Sequence, residues 1–214
     1  MTSSLCQLNS LRGIMLRLVV FISGGGTNLQ ALIDAIQAGQ LEAQIVLVVS
    51  NRKDAYGLER AQRTGIETLY FPLKHFTEGG QTRVEYDAAL AERLQPYAPE
   101  LIVLAGWMHI FTSTFLDAIS RPVINLHPSL PRQFAGVNSI QRAFAAFQRG
   151  EIDHSGVMVH YVIPEVDAGD VVVMEEVPLE ADDTLEAFTA RMRAAEHRLI
   201  VEAVRQHSLP SAGT

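Results

Sequence analysis

The chain has 214 residues, 48% of them hydrophobic, a formal net charge of −7 and one cysteine, Cys6. That length and apolar share suffice for one domain with a sizeable core, while the acidic balance argues against a nucleic-acid-binding surface. A lone cysteine excludes a disulfide framework and a thiolate metal site, and no apolar run approaches the roughly 20 residues that cross a bilayer. The expectation is a soluble, cytoplasmic monomer or homodimer that handles small molecules, without nucleic-acid or membrane partners.

Residues 1–14 lack the long apolar core of a signal peptide and read as an N-terminal extension, either an upstream start or a loosely ordered tail. Met15 opens the domain, which is expected over 15–207, with 208–214 as a C-terminal tail. Leu16 to Ile22 is a continuous apolar run bounded by glycines, the pattern of a strand buried on both faces. Asn28 to Ile36 places Leu29, Leu32, Ile33 and Ile36 at helical spacing, and Ile45 to Val49 reads as a second buried strand. A helix is expected from Asp54, a strand over Thr68 to Phe71, and a surface loop over Lys74 to Arg83, which contains Gly79-Gly80. Val84 to Leu94 is amphipathic, Leu101 to Ala105 is another buried strand, and a short helix over Phe111 to Ile119 precedes the strand that ends at Leu126.

Strands alternating with helices predict a Rossmann-like α/β domain with a mostly parallel sheet and helices on both faces. After a helix over Asn138 to Gln148 the rhythm changes. Val157 to Ile163 and Val171 to Val177 are consecutive β-rich segments joined by a turn, which predicts antiparallel strands near the C-terminus. Asp183-Thr184-Leu185-Glu186 is a capping-box-like start to a last helix that runs to about Gln206.

Three places carry chemistry. Ser23-Gly24-Gly25-Gly26-Thr27-Asn28 follows the first strand and opens the first helix, where consecutive glycines and a helix N-terminus suit an anion. No Gly-Lys-Ser/Thr follows, and Leu29 stands at the third glycine position of a dinucleotide fingerprint, so a monophosphate fits better than ATP or NAD. Asn125-Leu126-His127-Pro128-Ser129 lies at a strand end, and Val166-Asp167-Ala168-Gly169-Asp170 is an acidic turn. An amide can hydrogen-bond a developing oxyanion, an imidazole can move a proton near neutral pH, and a carboxylate can hold that imidazole in one tautomer. Together they suit acyl or formyl transfer.

Ile22 to Gln30, Leu104-Ala-Gly-Trp-Met-His-Ile110, Asn125 to Ser129, and Val159-His-Tyr-Val162 with Val166 to Gly169 together resemble the phosphoribosylglycinamide formyltransferases, folate-dependent enzymes. The resemblance covers about residues 16–206. It implies transfer of a formyl group from 10-formyltetrahydrofolate, a co-substrate, to the amine of phosphoribosylglycinamide in purine (IMP) biosynthesis. It places Asn125, His127 and Asp167 on the catalytic residues. Direct attack by the amine would give a tetrahedral species whose oxyanion meets Asn125, with Asp167 relaying protons through water or His127. Gly26, Thr27 and Asn28 fall around the ribose phosphate, and Arg193 and Glu196 toward the ribose. On the residues alone Glu196 reads as a solvated helix face. Arg83 falls near the folate's carboxylate tail. Trp107, Met108, His109 and Ile110 fall on one side of the pterin and Val162, Ile163, Pro164, Glu165 and Val166 on the other, with Asn125 also touching the folate.

The chain departs from the family pattern in the run Ser129-Leu130-Pro131 to Gly136, in Asp170 where proline is usual, and in Met158 where a small hydroxyl residue is common. Seven histidines invite a metal site at His127, His154, His160 and Asp167, but no short His-x-His or His-x3-His pairing exists, and no metal is expected. His160 reads instead as packing against, or bonding, the Asp167 turn. Two other folate enzymes, methionyl-tRNA formyltransferase and formyltetrahydrofolate hydrolase, share the Asn, His and Asp. A nucleotide- or folate-binding module without catalysis is the reading from a different class.

Overall fold

The computed structural model describes residues 15–208. The extension expected at 1–14 and residues 209–214 of the expected tail lie outside the described residues. β1 (Leu16–Ile22) shows how the sequence builds the fold. Successive side chains point to opposite faces of a strand. Leu18, Val20 and Ile22 accordingly join one core cluster, and Val19 and Phe21 join a second across the sheet. A strand apolar at every position therefore needs helices on both faces.

Those helices are amphipathic. In α1 (Thr27–Gln37) the buried residues are Leu29, Leu32, Ile33 and Ala35, one stripe of the expected periodicity. It packs on the first cluster with α6 (Ser139–Gln148) and α7 (Leu185–Ser208). α4 (Arg83–Leu94) and α5 (Ser113–Ile119) cover the second, in which Phe21 meets Trp107, Phe111 and Phe115 edge-on.

The remaining strands are β2 (Ala43–Ser50), β3 (Thr68–Tyr70), β4 (Leu101–Leu104), β5 (Val123–His127), β6 (His154–Tyr161) and β7 (Val171–Pro178). One seven-stranded sheet has the order β3-β2-β1-β4-β5-β6-β7. The pairs from β3 to β5 are parallel, and β6 runs antiparallel to both β5 and β7. The expected mostly parallel α/β sheet with antiparallel strands near the C-terminus is present. The chain moves outward in opposite directions from β1 and β4, so a switch point lies between their carboxyl ends, where open α/β sheets bind ligands.

Three local expectations need correction. Lys74 to Arg83 is not all loop, because α3 (Leu73–Glu78) occupies most of it. Pro72 ends the preceding strand at the N-cap, Phe76 packs on Phe71 and Tyr86, and Lys74 pairs with Glu78 at 3.4 Å. The capping box lies at Thr82, whose backbone N–H donates to Glu85 at 2.6 Å while Glu85 N–H donates to the Thr82 hydroxyl at 3.2 Å. At the last helix the cap is Thr184, which accepts from Ala187 N–H at 3.1 Å; Asp183 instead pairs with Arg191. Finally, β6 begins at His154 and ends at Tyr161, earlier than the apolar run suggested, because pairing with β7 extends to Pro178.

Candidate active site

Two groups of residues meet in a cavity of about 540 Å³ at the carboxyl ends of the central strands. At one end, β1 runs into the glycine loop and α1. Gly26 adopts φ +69°, a left-handed conformation that glycine enters without strain, and forms the N-cap of α1. Asn28 lies one residue into the helix, and its Nδ2 donates to Glu196 Oε2 at 3.1 Å.

Glu196 is only 8% exposed, which corrects the solvated-face reading. Its neighbours on the buried stripe of α7 are Met192, Ala195, Leu199 and Ile200, so helical spacing alone puts position 196 inside. Burial pushes the Glu196 carboxyl above its ordinary range, against the opposing effects of Asn28 and Arg193. A carboxyl at this depth is an acceptor aimed at something polar. Arg193 is exposed on the same helix and does not line the cavity. Gly26 and Thr27 also stand outside the lining.

At the other end the chemistry is assembled by strand register. Asn125 and His127 are two apart on β5 and so share a face, and β6 sets His160 opposite Asn125 and Met158 opposite His127. The β6–β7 connection then folds back over this face. Asp167 sits there at φ 52°, its carboxylate accepting Gly136 N–H at 2.8 Å. Asp167 Oδ2 lies 3.4 Å from His127 Nδ1, and Oδ1 lies 3.4 Å from His160 Nε2 and 3.3 Å from Asn125 Nδ2.

His160 meets the Asp167 turn as expected, its Nε2 3.4 Å from Asp167 Oδ1, and it also faces Asn125. Its Nδ1 donates to the Tyr161 carbonyl at 2.9 Å, while Nε2 lies 3.2 Å from Asn125 Nδ2 and 3.4 Å from Asp167 Oδ1, accepting from Asn125 when the ring is neutral and donating to Asp167 when it is protonated. The Asn125 amide is thereby oriented from two sides. Its nitrogen has two hydrogens for these two acceptors, so it donates into the cavity when the acceptors share one hydrogen or one of them lets go. Gly169 makes the turn possible: a Cβ there would stand 1.9 Å from the Tyr161 carbonyl oxygen.

Burial lowers the pKa of His127 below its usual 6.5, more than Asp167 raises it, so the imidazole is neutral at neutral pH. Burial alone would raise the Asp167 carboxyl, but His160, the Gly136 amide and His127 outweigh it and hold the group below 3.8. An ionised Asp167 facing Nδ1 favours the tautomer with the proton on Nδ1. His127 Nε2, buried and without a protein partner, is left with a lone pair. Ser129 does no such work: it is fully buried and donates to the Gln133 carbonyl at 2.8 Å.

Between the two ends, Trp107, Met108, His109 and Ile110 line one wall and Val162, Ile163, Glu165 and Val166 another; Pro164 stands just outside. The Trp107 ring belongs to the core, whereas Met108 and Ile110 are exposed, 62% and 59%, at the cavity wall. Ser23 Oγ accepts from Met108 N–H at 3.0 Å and ties this wall to the glycine loop. Arg83 is outside the lining. Its Nε donates to Asp87 at 2.9 Å and Nη2 bonds the Ile110 carbonyl. Fully buried Asp87 also accepts from Thr112 N–H at 2.7 Å and from its hydroxyl at 2.8 Å, so α4 fastens the wall from behind. Among the described residues no group of three or more His, Cys, Asp or Glu could hold a metal ion. Nor is any described helix long and apolar enough to cross a membrane.

A doubly wound sheet with an amide, an imidazole and a carboxylate beside its switch point defines an α/β group-transfer enzyme. The chain belongs to the formyl transferase family, whose model matches residues 16–204. A curated relative from Schizosaccharomyces pombe, named phosphoribosylglycinamide formyltransferase, is 48% identical over 197 residues, 88% of this chain and 95% of that one. One of the same name from Dictyostelium discoideum is 46% identical over 87% of this chain and 95% of its own. The crystal structure of glycinamide ribonucleotide transformylase 1 from Symbiobacterium toebii superposes with a TM-score of 0.82 at 39% identity, covering 91% of this chain and 88% of that one.

Proposed function

We propose that the chain transfers the formyl group of 10-formyltetrahydrofolate to the amine of phosphoribosylglycinamide, as a cytoplasmic step of purine biosynthesis. The observation that carries this reading is one cavity that joins Asn28, in the first turn of the glycine-loop helix, and Glu196 to the Asn125–His127–Asp167 cluster. The first suits a phosphate and the second a carbonyl addition, so the acceptor is a phosphorylated amine. The names of the relatives support the same acceptor.

The amine attacks the formyl carbon, forming a C–N bond and an oxyanion that meets an Asn125 N–H. His127 Nε2 takes the proton released by the attacking nitrogen, and Asp167 steadies the imidazolium. That proton passes to N10 of the folate as the old C–N bond breaks and the carbonyl re-forms. No covalent enzyme intermediate is needed. The folate lies between the Met108–Ile110 wall and the Val162–Val166 segment, with Pro164 at its edge and Arg83 toward its carboxylate tail. Arg193 lies on the ribonucleotide side, beyond Glu196. The 3.4 Å contact of Asp167 with His127 Nδ1 exceeds the usual N–H···O distance of about 2.7–3.2 Å, and it tightens when substrate fills the cavity.

The test is turnover of the purified chain with phosphoribosylglycinamide and 10-formyltetrahydrofolate. Formylation of the ribonucleotide, matched one for one by tetrahydrofolate, is expected. Deformylation that proceeds equally without the ribonucleotide would make the chain a hydrolase, and none at all would make it a binding module.

A further inference from the structure

The segment Tyr56-Gly57-Leu58-Glu59-Arg60 opens α2 (Tyr56–Arg63) and has no place in the chemistry above. It packs directly on the glycine loop. Gly57 N–H donates to the Gly24 carbonyl at 3.1 Å, Arg60 Nε donates to the Gly25 carbonyl at 2.8 Å, and Gln30 N–H donates to the Gly26 carbonyl at 3.0 Å. Three successive carbonyls are thus each held by a donor. In a trans peptide the C=O and the following N–H point in opposite directions. Holding the carbonyls of 24 and 25 from α2 turns the N–H groups of Gly25 and Gly26 away from α2, and the Gly26 carbonyl, held inside α1 by Gln30, turns the Thr27 N–H out of the start of α1. Among the described residues none of these three N–H groups donates to a protein acceptor.

We infer that Arg60 is a positioning residue for the glycine loop: its guanidinium fixes the Gly25–Gly26 peptide plane, so that consecutive backbone N–H groups face an incoming phosphate. The inference rests on the proposed phosphate role of that loop. Arg60 is itself braced, with Nη1 donating to Gln30 Oε1 at 2.9 Å and its guanidinium 4.9 Å from the centre of the Tyr56 ring. Glycines at 26 and 57 allow the close approach, Gly26 above all, since its Cβ would meet backbone. A Cβ on it would meet Ile22 Cδ1 at 2.3 Å, and a Cβ on Gly26 would meet Gly57 Cα at 2.6 Å. A glycine loop without such a brace is free to flip a peptide and present a carbonyl, which repels an anion.

The test uses the full chain, isotope-labelled, with ribose 5-phosphate as the probe. In the wild type the Gly25, Gly26 and Thr27 amide signals shift on titration. Arg60→Met removes the guanidinium and its donors while keeping an unbranched side chain. It is expected to weaken ribose 5-phosphate binding and raise the ribonucleotide KM about tenfold, the scale of one charged hydrogen bond. Its kcat stays within about twofold and the folate KM is unchanged. Arg60→Lys, which still offers a donor to the Gly25 carbonyl, recovers most of the loss. Unchanged probe affinity and amide shifts in Arg60→Met, or no recovery in Arg60→Lys, would overturn the inference. Silent amides in the wild type would instead overturn the phosphate role of the loop.

Discussion

The two ends of the cavity are built from different materials. The glycine-loop end is backbone: amides and a helix N-terminus set by residues adjacent in sequence, with Asn28 and Glu196 as its side chains. The Asn125–His127–Asp167 end is side chain, and its parts are brought together by the β5–β6 register and a folded-back turn. Backbone donors bind ground and transition states alike, whereas a proton-transferring imidazole acts only as charge develops. Damage at one end should therefore appear in KM, and damage at the other in kcat.

The largest expected effect comes from the side-chain end. His127→Ala and Asp167→Asn each lower kcat by roughly 10²-fold or more, the scale of a positioned acid–base group. Steady-state rates at saturating substrates measure this, and wild-type kcat in both variants would remove the catalytic assignment. At the backbone end, Asn28→Ala raises the ribonucleotide KM about tenfold with little change in kcat. A kcat loss equal to that of His127→Ala would erase the distinction between the ends.

Glu196 sharpens it from the side of stability. A carboxyl whose folded pKa is raised stabilises the fold fully below its unfolded value, and that stability is lost as pH rises through the folded pKa. Glu196→Gln is therefore more stable than the wild type at pH 8, by about 2–4 °C in Tm, while its ribonucleotide KM is higher. The gain vanishes in scans run below the unfolded value near 4.5. Smallest is Thr82→Ala, which removes a capping box away from both ends: it costs about 1 kcal/mol in denaturant unfolding and leaves both KM values unchanged.

The same division explains what could be read in the sequence. The glycine loop, the alternating strands and the stripe of α1 are local patterns, and they appear in the structure where the sequence put them. Asn125, His127 and Asp167 were visible as residue types, and their meeting in space required the antiparallel turn from β6 to β7. The contact of His160 with the Asp167 turn was legible, but its pairing with Asn125 was not, because that depends on the β5–β6 register, which no local pattern announces. Glu196 is the opposite case: its place on the buried stripe of α7 was present in the spacing and was overridden by its charge. α3 was hidden by a polar stretch whose two apolar residues, Leu73 and Phe76, are three apart. Gly57 and Arg60 looked like an ordinary helix start, since their work is done on a loop distant in sequence.

The most direct test of the side-chain end is the pH dependence of kcat at saturating substrates. The active form has neutral His127 beside ionised Asp167. Both folded pKa values are lowered, His127 from 6.5 and Asp167 from 3.8. Activity should therefore be level as pH falls to about 6.5 and decline only below it, as His127 gains its proton. His127→Ala should lose that acid limb. A limb centred above 6.5, or one unchanged in His127→Ala, would contradict the assignment of His127 as the group that carries the proton.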